Sequence, residues 1–226
     1  MWCVPVIDAE YIERMEDVLE VLERPLDAAE PVVALDERPV VLHDDARPSI
    51  AMRPGRTKRR DHEYVRRGTA NVFCVVEPKA GRHYSHATEN RKGPAFAEAM
   101  RRVARAYPKA KTIHVIFDGL NTHCEGSLIK AFGPKRGATL WKRFTVHYTP
   151  KHASWLDPAE IEASAFSREC LGRDRVSTLA ELARRTDAWN ERRHRERRVI
   201  NWTFTRADAR RRFGYRRRGV TSASKH

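Results

Sequence analysis

The sequence predicts an α/β fold: a mixed sheet flanked by helices, preceded by a linker helix and followed by a basic helical tail. Three observations carry this. Short apolar, β-branched runs recur at 31–36, 69–76, 112–118 and 144–148, the length and composition of buried strands. Amphipathic helical stripes alternate with the later runs. Three strands arrive in succession before that alternation begins, an order that gives a mixed sheet rather than an all-parallel one.

The elements follow in order. Residues 10–26 place Ile12, Met15, Val18, Leu19 and Leu22 on one helical stripe among acids. Pro31-Val32-Val33-Ala34-Leu35-Asp36 reads as a buried strand ending on an acid, and 53–60 as a basic loop holding Pro54 and Gly55. Thr69 to Val76 is apolar and β-branched, and Gly81 to Thr88 pairs with it as a hairpin across Pro78-Lys79-Ala80. Phe96, Met100, Val103 and Tyr107 share one face of a helix over 94–107. Thr112 to Asp118 is a second strand that ends on an acid, Thr139 to Arg143 is helical, and Phe144 to Tyr148 is a strand. Asp157-Pro158-Ala159-Glu160 starts a helix, with Asp as N-cap, Pro at the first position and Glu at the third. Thr178-Leu179-Ala180-Glu181 has the capping-box pattern and opens a last helix with Leu179, Leu182 and Trp189 on one side. This order is similar to that of ribonuclease H-like domains. It divides the chain into an acidic linker helix (1–30), the sheet domain (31–200) and an arginine-rich tail (201–226).

Of the 226 residues, 41% are hydrophobic and 33% charged, enough apolar content to exclude wholesale disorder. No stretch is long and apolar enough for a membrane span. The opening Met1-Trp2-Cys3-Val4-Pro5-Val6-Ile7-Asp8 has no basic n-region or adequate apolar core, so no signal peptide is expected. Cys3, Cys74, Cys124 and Cys170 are widely spaced and form no C-x-x-C pair, which argues against a thiol zinc site or a disulfide framework and for a reducing, cytoplasmic setting. The net charge of +14 is unevenly placed: residues 1–50 carry −9 and the remainder +23. Such asymmetry suggests a body that meets a polyanion. Glu191 to Arg218 holds twelve arginines with Trp202, Phe204, Phe213 and Tyr215 interleaved. That composition suits phosphate contacts and base stacking, and equally a solvated helix face or tail.

The candidate chemistry rests on acids. Asp36 and Asp118 each sit at or just past the C-terminal end of an apolar strand, where open α/β sheets place their sites. If the two strands are neighbours, both carboxylates project from one sheet edge, and a divalent cation relieves their repulsion. Oxygen-only ligands favour Mg²⁺. A third acid from the helix beginning at Asp157 would complete a two-metal site. Glu160 is the best candidate, although Asp157-x-x-Glu160 is also a capping arrangement. Glu162 competes, but two residues apart on a helix is about 200° in direction, so only one of the pair faces the site.

The segments Ala34-Leu35-Asp36-Glu37, Phe117-Asp118-Gly119-Leu120-Asn121-Thr122-His123 and the run from His147 to Glu162 resemble the three catalytic blocks of bacterial DDE transposases. More narrowly, they resemble the insertion-sequence-630 family, relatives of the mariner transposases. Met52-Arg53-Pro54-Gly55, the stretch from Glu63 to Asn71 and Asn201-Trp202-Thr203-Phe204-Thr205 support the likeness. The resemblance implies that Asp36, Asp118 and Glu160 are the catalytic, metal-holding acids. It implies two Mg²⁺ ions, with Mn²⁺ able to substitute, and cleavage of double-stranded DNA at transposon ends followed by strand transfer into target DNA. His123 is then expected near the phosphate, and Lys151, His152 and the loop residues Arg56, Lys58, Arg59 and Arg60 against DNA backbone. A homodimer and a bacterial, nucleoid-associated cytoplasmic location follow by analogy. The chain departs from the family in having Gly119 where Asn is usual after the second acid, and Asp157 where Asn is usual before the third. Set beside the family, it is also expected to begin after the helix-turn-helix region that reads transposon ends. A catalytically silent DNA-binding remnant of a transposase is the alternative expectation.

Overall fold

The first apolar run does not stop at Asp36. In the computed structural model, which describes residues 7–215, it continues as β1 (Val32–Asp45) and pairs along its length with antiparallel β2 (Tyr64–Glu77). Asp36 therefore lies within a strand rather than at its end. Charged residues tolerate this because side chains alternate between faces and β2 satisfies the backbone. On its other edge, β1 pairs in parallel with β5 (Ile113–Phe117) only from Val32↔His114 to Ala34↔Ile116. Extending that register by two residues sets Asp36 opposite Asp118. The ladder ends before it reaches them, so the strands part just where the acids stand.

The remaining strands complete a six-stranded sheet. The expected hairpin partner of β2 is split into β3 (Arg82–His83) and β4 (His86–Thr88), both paired with β2. β6 (Phe144–Tyr148) lies parallel to β5, and the order is β3-β2-β1-β5-β6. This is the mixed sheet of the ribonuclease H-like expectation.

Alternation assigns the faces. Val33, Leu35, Ile113, Val115 and Phe117 point to one side, where α2 (Gly93–Ala106) and α3 (Glu125–Phe132) cover them with Phe96, Met100, Val103 and Leu128. Ala34 and Ile116 point to the other, under Met15, Val18 and Leu19 of α1 (Ala9–Glu23) and Ala159 of α5 (Pro158–Phe166). Farther along β1 and β2, Val40, Leu42, Val72 and Cys74 pack with Phe166 and with Leu182 and Trp189 of α6 (Leu179–Glu196). Asp36 and Asp118 belong by parity to the α1/α5 face.

The helix expected at 139–143 is longer, α4 (Pro134–Trp141), and α3 is an element whose eight residues show too little periodicity to be read beforehand. The two helices touch at Gly137, where an added Cβ would lie 2.6 Å from the Ile129 backbone. Gly137→Ala should destabilise the fold by about 1–3 kcal/mol, the range for overpacking against atoms that cannot rotate away. Urea unfolding checks it, and an unchanged midpoint would contradict the close approach.

The acidic front and the arginine-rich segment meet each other. α7 (Arg206–Phe213) lies along α1. Arg210 grips Glu16 through two bonds of 2.7 Å, Arg206 reaches Glu20 and Glu23 at 2.9 Å, and the Tyr215 hydroxyl donates to Glu16 at 3.0 Å. Trp202, Phe204, Phe213 and Tyr215 pack against the α1 core. These aromatics are thus occupied within the fold rather than presented for base stacking. Cys3 and the rest of the first six residues, and Arg216, Arg217 and Arg218 of the tail, lie outside the described residues. Among the described residues, no helix is long and apolar enough to cross a membrane.

Candidate functional site

Where β1 and β5 part, a cleft of about 760 Å³ opens. It is lined by Asp36 of β1, Asp118 just after β5, and Asp157 and Glu160 at the start of α5. Asp8, Glu10, Tyr11 and Arg14 at the start of α1 form one wall, and Lys151 and His152 border it from the loop before α5.

Each acid is held differently. The Asp36 carboxylate accepts from the Glu37 amide at 2.7 Å. Burial, together with the negative charges of Glu160, Glu37 and Asp118, overcomes that bond and pushes its pKa up to about 6. Asp157 is fully buried and caps α5 by accepting from the Ala159 amide at 2.8 Å. Burial and the charges of Asp36, Glu160 and Asp118 drive its pKa well above the carboxylate range. Asp118 is about half exposed, with 47% of its side chain open to solvent. Burial pulls its pKa upward, but His123, the Leu120 amide and the charge of Arg91 outweigh it, so the net shift is downward.

The two glutamates of α5 point in opposite directions. Glu160 is exposed and lines the cleft. Glu162 is fully buried on the other side, 2.6 Å from His83 Nδ1 and 3.7 Å from Arg193. His83 Nε2 in turn donates to the Arg198 carbonyl at 3.0 Å.

His123, expected near the phosphate, lies directly behind Asp118; it is only 1% exposed and does not line the cleft. Its Nδ1 faces Asp118 Oδ1 at 2.9 Å and its Nε2 faces Glu37 Oε1 at 2.8 Å. Burial would lower its pKa, yet these two carboxylates raise it to about 10. Both ring nitrogens are thus engaged by side chains of the protein itself. Arg56, Lys58, Arg59 and Arg60 are exposed on the β1–β2 hairpin, tied by the Ile50↔Arg59 and Arg53↔Arg56 bridges, and line no part of the cleft. Lys151 and His152 are exposed at its rim, His152 with φ of 62°.

Glu37 and His83 were not anticipated. Strand alternation was the available signal for Glu37, since a residue after an acid in a strand turns to the opposite face. Nothing local marks His83.

The donors suit a hard divalent cation. They are all carboxylate oxygens, and among the described residues none of Asp36, Asp157 and Glu160 is ion-paired with a basic side chain. Their mutual repulsion is what such an ion relieves. Among the described residues, no three side chains converge as a preformed coordination sphere. That is compatible with an ion that keeps several waters.

Comparison with known proteins gives the family and the fold. A profile describing DDE superfamily endonucleases matches residues 31–183. No curated protein matches the chain. Among solved structures, it is similar to the Mos1 mariner paired-end complex with Mn, with a TM-score of 0.54 and 15% identity over 88% of this chain and 62% of that one. The Mos1 transposase paired-end complex with left transposon end gives 0.53 and 14% over 93% and 62%. The Mos1 strand transfer complex gives 0.53 and 14% over 88% and 61%. The chain thus spans less than two thirds of these neighbours, and at such identity the likeness establishes the fold.

Proposed function

The chain belongs to the DDE superfamily of endonucleases, and on that premise we propose that it is the catalytic part of a transposase of the insertion-sequence-630 family. It cuts DNA at transposon ends and joins the freed 3′ ends to target DNA. The observation that carries this reading is that Asp36, Asp118 and Glu160 line one cleft where parallel neighbours separate.

In this reading Asp36, Asp118 and Glu160 hold two Mg²⁺ or Mn²⁺ ions. When bound, such ions activate the attacking oxygen and stabilise the leaving 3′-oxygen of the scissile phosphate. The protein's own part is placement. β1 and β5 present two carboxylates from a rigid sheet, and the capped start of α5 delivers the third. Lys151 at the rim offers positive charge to the DNA backbone and His152 a hydrogen-bonding ring, while Asp157 holds the helix end. The basic hairpin adds grip that carries no sequence information.

The direct test is an oligonucleotide assay with transposon-end and target duplexes in Mg²⁺ or Mn²⁺. Nicked and joined products are expected, and Asp118→Asn should abolish both while DNA binding persists. Unchanged cleavage by that variant would overturn the site. Cleavage without joining would point to a nuclease of other purpose, and salt-sensitive binding without products to a silent remnant.

A second measurement concerns the hairpin. Replacing Arg56, Lys58, Arg59 and Arg60 with alanine should weaken binding equally across DNA sequences. It should also flatten the salt dependence by about 0.9 in log–log slope for each phosphate that is no longer neutralised. A sequence-selective loss would show that the hairpin reads bases instead.

A further inference from the structure

We propose that Glu37 and His123 form a buried strut between β1 and the loop after β5 that sets the separation of Asp36 and Asp118, and with it the cleft's affinity for its metal ions. The inference rests on the assignment of those two acids as metal-holding residues. It makes Glu37 and His123 positioning residues, since neither lines the cleft.

The need for a strut comes from the sheet. Backbone pairing between β1 and β5 ends at Ala34↔Ile116, so no ladder bond ties the strands at the level of the acids. Across that gap runs one continuous chain of side-chain contacts. Glu37 follows Asp36 and turns to the opposite face, where its side chain is 1% exposed and its Oε1 lies 2.8 Å from His123 Nε2. His123 Nδ1 lies 2.9 Å from Asp118 Oδ1 and 3.0 Å from the Asp118 carbonyl. The imidazole thus spans from the neighbour of the first acid to the second acid itself.

The ring is itself fixed. Phe96 stacks on it with centroids 4.6 Å apart, and Phe117 packs at 5.0 Å. The His123 amide donates to the Leu120 carbonyl at 2.8 Å, which closes the loop after Asp118. From the neighbouring strand, the Tyr148 hydroxyl donates to the His123 carbonyl at 2.8 Å. A side chain held by two carboxylates and two aromatic rings has no freedom left to follow a substrate. It does have the rigidity to hold one carboxylate at a set distance from another. Residues that orient metal ligands in this way typically change metal affinity by about 10–100-fold when replaced.

The test uses the full chain with Glu37→Gln and His123→Gln. Mn²⁺ affinity is read by electron paramagnetic resonance of the free ion, beside thermal unfolding and the metal dependence of cleavage. Each variant should bind Mn²⁺ about 10–100-fold more weakly. The metal concentration for half-maximal cleavage should rise by a like factor, with the rate at saturating metal recovering to within a few-fold. The double variant should be no weaker than the worse single one, because both cut the same chain. Glu37→Gln preserves volume and carries the test if His123→Gln fails to fold. Variants that unfold at lower temperature while binding Mn²⁺ within twofold of the unmodified chain would overturn the strut and leave the proposed function standing. An unmodified chain that neither binds Mn²⁺ nor cleaves DNA would overturn that function, and the strut with it.

Discussion

Asp36→Asn should reduce metal-dependent cleavage by at least about 1,000-fold while raising the melting temperature of the metal-free protein. The first effect follows from the several kcal/mol that a correctly held divalent ion contributes to the transition state, at about 1.4 kcal/mol per tenfold in rate. The second follows from the carboxylate's surroundings. Its pKa stands at about 6 instead of 3.8 because burial and the charges of Glu160, Glu37 and Asp118 penalise the ionised form. A raised pKa means that the stability due to the protonated acid is fully present below about pH 3.8 and is lost as the pH climbs through about 6. Near neutral pH the ionised group works against folding by roughly 2 kcal/mol, after discounting for the water that reaches a half-buried side chain. Asparagine keeps the acceptor for the Glu37 amide and removes the charge. The gap in melting temperature between variant and unmodified chain should be largest above pH 6 and close toward pH 4. A variant that melts lower at pH 7, or cleaves within tenfold of the unmodified chain, would contradict this account.

The second large effect separates the two glutamates of α5. Glu162→Ala should destabilise the protein by about 3–5 kcal/mol, because it takes the partner from the fully buried His83 and leaves Arg193 with Glu169 alone of its two carboxylates. For a chain of this length that corresponds to a fall of about 10–15 °C. Glu160→Gln should leave the melting temperature within about 1–2 °C, as expected of an exposed side chain, and abolish cleavage. Circular dichroism melts and the oligonucleotide assay read the two properties independently. If Glu162→Ala kept full stability and lost only cleavage, the roles would be reversed.

Both predictions combine things visible in the chain with things that are not. The apolar runs located β5, β6 and the start of β1 closely, and the capping signal located the start of α5. Asp157 does cap that helix, and β1 and β5 are parallel neighbours, as paired acids at one sheet edge require. Near Thr178 the capping pattern is only partly reciprocal. Thr178 accepts from the Glu181 amide, but the Glu181 carboxylate returns to the Ser177 amide at 3.3 Å. α3 carries no clear sequence signal, because a short helix packed partly through small residues shows little amphipathic period. The strong charge of the tail suggested DNA, yet its described arginines Arg206 and Arg210 answer the acids of α1, some 190 residues away in sequence.

What the sequence determines by itself is local: which segments are strands, where helices start, and which carboxylates follow an apolar run. These depend on side-chain periodicity and on backbone groups within a few residues of each other. The tertiary structure decides the rest. It turns Glu160 into the cleft and Glu162 into the core, carries β1 past Asp36, and buries His123 between Asp118 and Glu37. Helix geometry states that two residues 200° apart cannot face the same way. Which of them faces the acids depends on where the sheet lies, and pairing between strands about eighty residues apart settles that.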